Sequence, residues 1–323
     1  MLKWCRFEAN PACNWCEDTT AAAAEGGNLA VLQWLRTEAR PPCPWNASTC
    51  RMAAQNDHLE VLKWARQEAQ PRCPWGSGTT RMAAAGGHLR VLKWAREEAN
   101  PICPWDARAC ANAAANGKLD VLQWLRAQTP PCPMDKFTCD ASAAHGHLEI
   151  LQWARAHGCE WTAETCAVAA EGGNLDILKY MRAQTPPCPW SAKTCGRAAK
   201  RGHLNVIRWA REEADPKCEW DAQTCEAGAY YGHLHVVQYA RAQTPPCPWT
   251  ERTTAAAANA GTPRWDILRW LRIQDPPCPW TAWTRNRARQ HFGDAVVATW
   301  PALVSGESAR DFIFGRRSPP SKR

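Results

Sequence analysis

A three-residue corner, Cys-Pro-Trp or a one-residue variant of it, recurs along this chain with a nearly constant period. Its cysteine stands at positions 13, 43, 73, 103, 132, 159, 188, 218, 247 and 278, so successive copies begin 27 to 31 residues apart. Repeats of this length stack on their neighbours and share one continuous core. The period therefore predicts one elongated array over residues 1–300, although a chain of 323 residues without repeats would suggest two or three domains.

Each corner is followed by the pattern of a short helix. The residue after the corner tryptophan is of a type that accepts hydrogen bonds from the free N–H groups of a first helical turn. These residues are Asn46, Asp106, Asp135, Thr162, Ser191, Asp221, Thr250 and Thr281. An alanine pair such as Ala53-Ala54 follows and permits close helix packing. About ten residues on, a glycine such as Gly87 or Gly202 is suited to end the helix.

A second helix follows at once in each unit. In one copy, Leu59, Val61, Leu62, Trp64 and Ala65 form an apolar stripe of helical period. These second helices end before a proline, which disfavours helical geometry in the preceding residue. Each unit is therefore predicted to be an antiparallel helix pair with an extended connector. A single pair could not bury both of its faces, whereas stacked pairs can.

The segment from Ala53 to Lys63, AAQNDHLEVLK, resembles the A-A-x-x-G-H-L-E-V-V-K core of ankyrin repeats, and GHLEIL at 146–151 matches part of it again. The resemblance covers roughly residues 1–300. It implies an all-α, ankyrin-like solenoid of about nine to ten helix-turn-helix repeats with short extended connectors. This unit is nearer 30 than 33 residues, and Cys-Pro-Trp replaces the usual finger, which puts the β-hairpin of ordinary ankyrin repeats in doubt. This variety is similar to arrays of large DNA viruses and some algae, which implies a viral protein that engages host partners.

Tryptophan and cysteine occupy fixed positions of the repeat. Seventeen of the 20 tryptophans stand either in the corner or in the second helix, so we interpret them as core residues between repeats. A second cysteine follows the corner cysteine by seven residues in most copies, but Thr20, Thr80 and Thr254 replace it in others, and threonine cannot replace a zinc ligand. Equivalent cysteines of adjacent repeats should lie about 8–10 Å apart, too far for a disulfide. We therefore predict buried thiols, no metal and no cofactor.

Catalytic motifs are not apparent in the sequence. His58, His88, His147, His203 and His233 precede the second helices of five sister units. A catalytic group is needed once, so we interpret these histidines as hydrogen-bonding turn residues. The sequence has no nucleophile elbow, phosphate-binding loop, zinc-protease motif or dinucleotide fingerprint. We predict that the protein is not an enzyme and has no catalytic residues.

In ankyrin arrays, the two residues between the alanine pair and the turn glycine lie on the concave face. At the equivalent positions of this chain, most such pairs consist of small or uncharged residues. The exception is a set of charged and aromatic residues on two consecutive repeats, a combination typical of interface hot spots. This set, here named the aromatic–basic patch, comprises Arg197, Lys200, Arg201, Glu226, Tyr230 and Tyr231. We predict that it binds a protein partner with an acidic segment; the alternative is that both tyrosines pack on neighbouring helices and the cations are solvated.

Charge is concentrated at the C-terminal end. Residues 285–323 carry +5 of the formal net charge of +8, so the repeat body is nearly neutral. Residues 281–300 are expected to cap the array and residues 301–323 to form a disordered basic tail. An alternative function is nucleic-acid association through this tail and Arg197, Lys200 and Arg201. Nucleic acid is nevertheless not the expected partner.

The chain shows neither a membrane span nor a secretory signal, so an intracellular location is expected, cytoplasmic or, through the tail, nuclear. The N-terminal Leu2-Lys3-Trp4 begins inside a second helix. We expect a monomer unless a partner covers that end. The leading prediction is a non-enzymatic scaffold or adaptor that binds a protein partner on the concave face.

Overall fold

The computed structural model describes residues 15–259 and 262–299. The N-terminal segment 1–14 and the tail 301–323, for which the sequence made predictions, lie outside these residues. The chain falls into two compact units, Met1–Trp161 and Thr162–Arg323. Each unit is a solenoid of stacked helix pairs, as the period predicts. The single array over residues 1–300 remains a prediction.

From residue 15 onward, the first unit contains five helix pairs. In chain order its helices are α1 (Glu17–Glu25), α2 (Leu29–Thr37), α3 (Ala47–Gln55), α4 (Leu59–Lys63), α5 (Ser77–Gly86), α6 (Leu89–Lys93), α7 (Ala107–Ala115), α8 (Leu119–Ala127), α9 (Lys136–His145) and α10 (Leu148–Ala156). A π-helical turn continues α4 over Trp64–Glu68 and α6 over Trp94–Glu98. The odd-numbered helices α1, α3, α5, α7 and α9 pack side by side in that order.

The second unit repeats this arrangement. Its helices are α11 (Ala163–Glu171), α12 (Leu175–Arg182), α13 (Ala192–Arg201), α14 (Leu204–Glu212), α15 (Ala222–Tyr231), α16 (Leu234–Ala242), α17 (Glu251–Asn259), α18 (Trp265–Arg272), α19 (Ala282–Phe292) and α20 (Asp294–Thr299). The first helices α11, α13, α15, α17 and α19 again pack in sequence order. The surface residues of consecutive first helices therefore lie next to each other.

The helix boundaries follow the capping chemistry of the sequence. The side-chain oxygens of Asn46, Asp106 and Asp221 accept hydrogen bonds from backbone N–H groups two residues on, at 2.8, 3.1 and 3.0 Å. At the other end, Gly87 and Gly202 have φ values of 85° and 77°, which disfavour residues with a Cβ. Local sequence thus fixes where these first helices begin and end.

The core of each unit consists of small residues on the first helices and larger ones on the second helices. The alanine pairs, including Ala53–Ala54, Ala113–Ala114 and Ala198–Ala199, are fully buried. The largest fully buried side chains lie mostly on the second helices, such as Leu92, Leu122 and Ile207. Small side chains let adjacent first helices approach closely, so the alanine pairs set the spacing of the repeats.

The connectors between pairs are extended, and all but the one at His157-Gly158 contain a proline after the second helix. The peptide bond before the connector proline is cis at Pro41, Pro71, Pro101, Pro130, Pro186, Pro216, Pro245 and Pro276. Residues 15–259 and 262–299 contain no β-strand, so the hairpin of ordinary ankyrin repeats is not present in this part of the chain. Among the same residues, no helix combines the length and apolar character needed to cross a membrane.

The corner cysteine joins three structural elements through its backbone and its thiol. In one copy, the N–H of Cys103 donates to the carbonyl of Ala95 in the preceding second helix, at 2.9 Å. Its carbonyl accepts from Nη1 of Arg96, at 2.8 Å. Its thiol donates to the carbonyl of Gly76, which precedes the first helix of the previous repeat, at 3.5 Å. The corner thus ties its own repeat to the one before it.

The second-helix arginine also contacts the corner tryptophan. The guanidinium carbon of Arg96 lies 3.8 Å from the ring centroid of Trp105, and that of Arg241 lies 3.8 Å from Trp249. The same contact, at 4.1–4.5 Å, recurs for Arg36, Arg66, Arg155, Arg182, Arg211 and Arg272. Sequence analysis assigned no role to these arginines. Each of them links the second helix of one repeat to the corner of the next.

Sequence analysis interpreted the tryptophans as core residues between repeats. Trp64, Trp94 and Trp209 are buried, and most of the others are half-buried and pack against the core in edge-to-face pairs. In five repeats the corner indole meets the second-helix indole 19 residues further on, as in Trp75–Trp94, where the ring centroids are 5.6 Å apart; in a sixth, Trp249 meets Trp270. The second-helix member Trp94 is buried, whereas the corner indoles are half-buried. Edge-to-face contact is a favoured arrangement of aromatic rings. The paired rings hold a corner against the second helix of its own repeat.

The turn histidines join neighbouring repeats. Nε2 of His58 lies 2.9 Å from the carbonyl oxygen of Glu25, and Nε2 of His88 lies 2.8 Å from that of Gln55. His147, His203 and His233 make the same contact. Since a carbonyl oxygen only accepts, Nε2 carries the hydrogen in each case. These contacts agree with the interpretation of the histidines as hydrogen-bonding turn residues.

Candidate functional site

The aromatic–basic patch lies on α13 and α15, two first helices that pack against each other. Lys200 and Tyr230 occupy equivalent positions at the ends of these helices, each followed by one more patch residue and then the turn glycine. The next first helix on the other side of α13 is α11, where Glu171 holds the same position. The fold therefore lines up an acidic, a basic and an aromatic residue on three consecutive repeats.

The two tyrosines are exposed. The exposed fractions of Tyr230 and Tyr231 are 40% and 43%, and their ring centroids lie 4.9 Å apart in an edge-to-face arrangement. Nζ of Lys200 lies 5.8 Å from the centroid of Tyr231. This observation contradicts the alternative in which both rings pack against neighbouring helices. The tyrosines instead form a rigid aromatic surface with two large rings available to a partner.

Glu171 forms ion pairs with three cations of the patch. One of its carboxylate oxygens lies 2.8 Å from Nζ of Lys200 and the other 2.8 Å from Nη1 of Arg197, while Nε of Arg201 lies 3.7 Å away. Arg197 also pairs with Glu164. Because Glu171 is largely buried, it holds Arg197 and Lys200 in place. Arg201 has the longest of these contacts and the most exposed side chain, and is the cation of this group most accessible to a partner.

Glu226 has a different contact from the one that its register suggests. It stands one repeat after Arg197, but its carboxylate accepts a hydrogen bond from Oγ1 of Thr250, at 3.1 Å. Glu226 therefore lies on the side of α15 that faces α17. Arg197 faces the opposite way, toward α11. The structure brings Arg197, Lys200 and Tyr231 together and leaves Glu226 with the neighbouring repeat.

A groove of about 250 Å³ lies beside the patch and is lined by residues of both α13 and α15. It is lined by Lys193, Gly196, Arg197, Lys200, Gln223, Ala227 and Tyr231. Its lining thus combines small residues, three cations and an exposed tyrosine.

Glu171, Glu164 and Lys193 were missed by sequence reasoning. A signal for Glu171 was present, because it stands 29 residues before Lys200 at the same position of its repeat. Opposite charges at equivalent positions of adjacent repeats predict an ion pair wherever first helices pack side by side. Glu164 and Lys193 carried no comparable signal, because they lie near the starts of their helices, away from the two positions that precede the turn glycine.

We expect Glu171→Gln to lower the free energy of unfolding by about 1 kcal/mol at pH 7. Burial raises the pKa of Glu171, but hydrogen bonds from Lys200 and Arg197 outweigh it, so the pKa lies below its ordinary value of 4.5. Because the pKa of Glu171 is lower in the folded state than in the unfolded state, its ion pairs stabilise the fold fully above pH 4.5. This stabilisation is lost as the pH falls through the folded-state pKa. Urea denaturation of both proteins at pH 7 and pH 3 measures the difference. A difference of equal size at both pH values would contradict this.

Within residues 15–259 and 262–299, no group of three or more histidine, cysteine, aspartate or glutamate side chains is placed to hold a metal ion. The arrangement on α13 and α15 instead offers cations, aromatic rings and a shallow groove. These are features of a binding surface.

Comparisons with known proteins give a general likeness only. No family model matches the sequence, and no curated protein sequence matches it. A solved structure of the pentatricopeptide repeat protein PPR10 in complex with an 18-nucleotide psaJ RNA element is 16% identical, with a TM-score of 0.35 over 94% of this chain and 43% of that one. The human ASB11 ankyrin repeat domain is 15% identical, with a TM-score of 0.27 over 58% of this chain and 80% of that one. This chain thus spans less than half the length of PPR10.

Both of these structures belong to helical repeat proteins. The description of this chain as a helical repeat solenoid stands on its helix pairs and on the contacts between consecutive first helices. Neither comparison assigns the chain to one repeat family.

Proposed function

We propose that this chain is a non-enzymatic protein-binding scaffold and that the aromatic–basic patch captures an acidic segment of a partner protein. The observation that carries the proposal is the exposure of Tyr230 and Tyr231 beside Lys200 and Arg201. Tyrosine supplies a large contact area at a small cost in conformational entropy, and tyrosine and arginine are both enriched in interface hot spots. Four cations, Lys193, Arg197, Lys200 and Arg201, lie on α13, while Glu164 and Glu171 oppose them. The remaining positive charge favours an acidic partner.

The patch is tested with a triple variant, Tyr230→Ala/Tyr231→Ala/Arg201→Ala. We expect it to reduce capture of partner proteins from a cell extract at least tenfold, since each truncated hot-spot side chain typically costs about 2 kcal/mol or more in binding. Immobilised wild type and variant are compared by quantitative mass spectrometry. The same extract is challenged with a synthetic Glu/Asp-rich peptide, which should compete with the captured protein.

The matched control is Gln55→Ala/Asn56→Ala, which changes the equivalent positions at the end of α3 in another repeat. This variant should retain full capture. Both variants must keep the far-ultraviolet circular dichroism of the wild type, because all five positions are at the surface. Unchanged capture by the triple variant, or equal loss in the control, would refute the proposed patch.

Nucleic-acid association is the second candidate function. Arg197 and Lys200, which it requires, are engaged by Glu164 and Glu171, so fewer cations remain for phosphate groups. The basic tail, its other element, lies outside the described residues. Retention on DNA or RNA that falls steeply between low and moderate salt would support this function. No retention at low salt would remove it.

We also propose that the repeats are divergent ankyrin repeats of a Cys-Pro-Trp type, and that the similarity to viral arrays reflects a role in engaging host proteins. The proposal rests on the A-A-x-x-G-H-L pattern and on the turn histidines that follow it. An alignment of related sequences that preserves this pattern together with the 30-residue period would support it. Related sequences in which the pattern disappears and the period remains would count against it.

A further inference from the structure

Trp283 is an exposed aromatic residue on the last first helix of the second unit. Seventeen of the 20 tryptophans hold the two fixed positions of the repeat, and Trp283 is one of the other three. It lies in the first turn of α19 and is 47% exposed. The guanidinium carbon of Arg287, one turn further along the helix, lies 5.4 Å from the centroid of its indole ring. An exposed ring beside a cation is also what the aromatic–basic patch presents, with Lys200 beside Tyr231.

The repeat register places Trp283 and Arg287 on the face that carries the aromatic–basic patch. The groove beside the patch is lined at the fifth and ninth positions after the corner cysteine by Lys193, Gln223, Arg197 and Ala227. Trp283 and Arg287 are the fifth and ninth residues after Cys278. Because α13, α15, α17 and α19 pack in sequence order, equivalent residues of these helices form rows along one surface of the second unit.

The positive charge beside Trp283 is not neutralised by neighbouring acids. α19 contains three arginines and no acidic residue. Arg252 is exposed and holds the position of Trp283 on the adjacent helix α17, so the two residues lie about 8–10 Å apart. In the part of the chain that the structure describes, neither Arg252 nor Arg287 makes an ion pair, whereas Arg289 pairs with Asp294 at 3.2 Å. Arg252, Trp283 and Arg287, here named the α19 site, therefore offer a second surface to an acidic group.

The surface between the patch and the α19 site has the opposite charge. A groove of about 380 Å³ lies there, lined by residues at the starts of α15 and α17. Its charged lining residues are Asp221, Glu226, Glu251 and Arg252, so carboxylates outnumber cations. Like charges placed close together at an interface disfavour binding. A partner segment that crosses this groove is therefore favoured when it carries no acidic side chain at that point.

The distance between the patch and the α19 site sets the length of segment that can reach both. Helices that pack side by side are about 8–10 Å apart, so two repeats correspond to about 16–20 Å. An extended chain advances about 3.3–3.6 Å per residue, and about five or six residues therefore span this distance. One linear segment can occupy both sites at once.

We propose that the aromatic–basic patch and the α19 site bind one extended partner segment in which two acidic clusters are separated by about five or six residues without acidic side chains. The inference rests on the proposed function of the patch and adds the charge pattern of the partner. One cluster contacts the cations of α13. The other contacts Arg252 and Arg287, with the ring of Trp283 against its apolar part. Once one cluster is bound, binding of the other is intramolecular, which raises the affinity.

Fluorescein-labelled synthetic peptides test this pattern on the full chain by fluorescence anisotropy. The single peptide carries one Glu-Asp-Glu cluster, and the spaced peptide carries two such clusters joined by about six Gly, Ser and Lys residues. In the close peptide about two Gly residues join the clusters, and in the acidic peptide glutamate replaces each lysine of the spaced peptide.

We expect the spaced peptide to bind at least about tenfold more tightly than the single and close peptides. It should also bind more tightly than the acidic peptide, because the groove between the sites repels added glutamates. The acidic and close peptides carry more negative charge than the spaced peptide. Tightest binding by either of them would mean that affinity follows net charge alone, and would overturn the proposal.

The variant Trp283→Ala/Arg287→Ala isolates the contribution of the α19 site. It should lower the affinity for the spaced peptide to that for the single peptide, and change the latter by less than about twofold. Arg289→Ala is the control, because it removes a cation from the same helix but at another position, where Arg289 already pairs with Asp294. Each variant must keep the circular dichroism of the wild type. Unchanged affinity for the spaced peptide in the double variant, or an equal loss in the control, would overturn the proposal.

The triple variant Tyr230→Ala/Tyr231→Ala/Arg201→Ala distinguishes failure of this inference from failure of the proposed function. If it still captures partner proteins and binds the single peptide as the wild type does, the proposed function fails and the inference fails with it. If it loses both activities while Trp283→Ala/Arg287→Ala binds the spaced peptide normally, only the extension to α19 fails. Tighter binding of a single-stranded DNA oligonucleotide than of the spaced peptide, lost in Trp283→Ala/Arg287→Ala, would overturn the inference in favour of a nucleic-acid site.

Discussion

Replacing Trp94 by alanine is expected to lower the free energy of unfolding of this chain by about 3–5 kcal/mol. The indole of Trp94 is 2% exposed, lies in the core of the first unit and meets Trp75 edge to face. Truncation removes its buried apolar surface, leaves a cavity and exposes the corner ring that it supports. Urea denaturation followed by circular dichroism at 222 nm measures the loss without depending on the fluorescence of the deleted residue.

Trp283→Ala is the control for this substitution. Trp283 is 47% exposed and lies on α19, so it should cost less than about 1 kcal/mol because little buried surface is lost. A comparable loss in both variants would mean that tryptophan content, and not the paired indoles, governs stability. A loss below about 1 kcal/mol at Trp94 would show that the ring pair contributes little to the core.

Arg96→Ala is expected to cost about 2–3 kcal/mol, although arginine is usually a surface residue. Its Nη1 donates at 2.8 Å to the carbonyl of the fully buried Cys103, and its guanidinium covers Trp105. Alanine leaves that carbonyl without this charged donor and uncovers one face of the indole. Urea denaturation of the single and double variants of Arg96 and Trp105 separates the two contributions.

Arg90→Ala provides a matched control for Arg96→Ala. Arg90 lies on α6, six residues before Arg96, and its side chain is exposed. Its removal should change the free energy of unfolding by less than about 0.5 kcal/mol. Equal effects at Arg90 and Arg96 would indicate a loss of general helix stability or charge, and would rule out a specific role of the corner contact.

The arginine contacts explain why the Cys-Pro-Trp corner recurs. In every described corner from Cys43 to Cys278, the carbonyl of the cysteine accepts a hydrogen bond from a second-helix arginine. In every one of these corners except Cys132-Pro133-Met134, the guanidinium of that arginine also covers the corner tryptophan, and the cysteine thiol donates to a carbonyl of the previous repeat. The corner therefore connects consecutive repeats, and the candidate binding site lies elsewhere on the surface.

The same connection positions the candidate binding site. Consecutive first helices are held side by side, so residues at equivalent positions on α11, α13 and α15 become neighbours. Glu171, Lys200 and Tyr230 occupy such positions, and the groove beside them has small residues in its lining. A partner would thus meet a surface that is already formed before binding, which reduces the conformational entropy lost on association.

The sequence by itself determined the repeat, its helix pairs and most of their boundaries, because these depend on local chemistry. Capping residues such as Asp106, turn glycines such as Gly202 and apolar stripes act within about ten residues of chain. The burial of the alanine pairs follows from the same patterns. The position of the aromatic–basic patch could also be read from the sequence, since equivalent positions in a repeat share one face.

Only the tertiary structure decided which residues meet across the seams between repeats. The contact of Arg96 with Trp105, the ion pairs of Glu171 with Lys200 and Arg197 and the hydrogen bond from the thiol of Cys218 to the carbonyl of Ser191 all join residues from different repeats. Such contacts depend on the offset between stacked helices and on the path of the connector. A periodic sequence fixes the spacing of equivalent residues, but the stacking of the helices selects which non-equivalent residues touch.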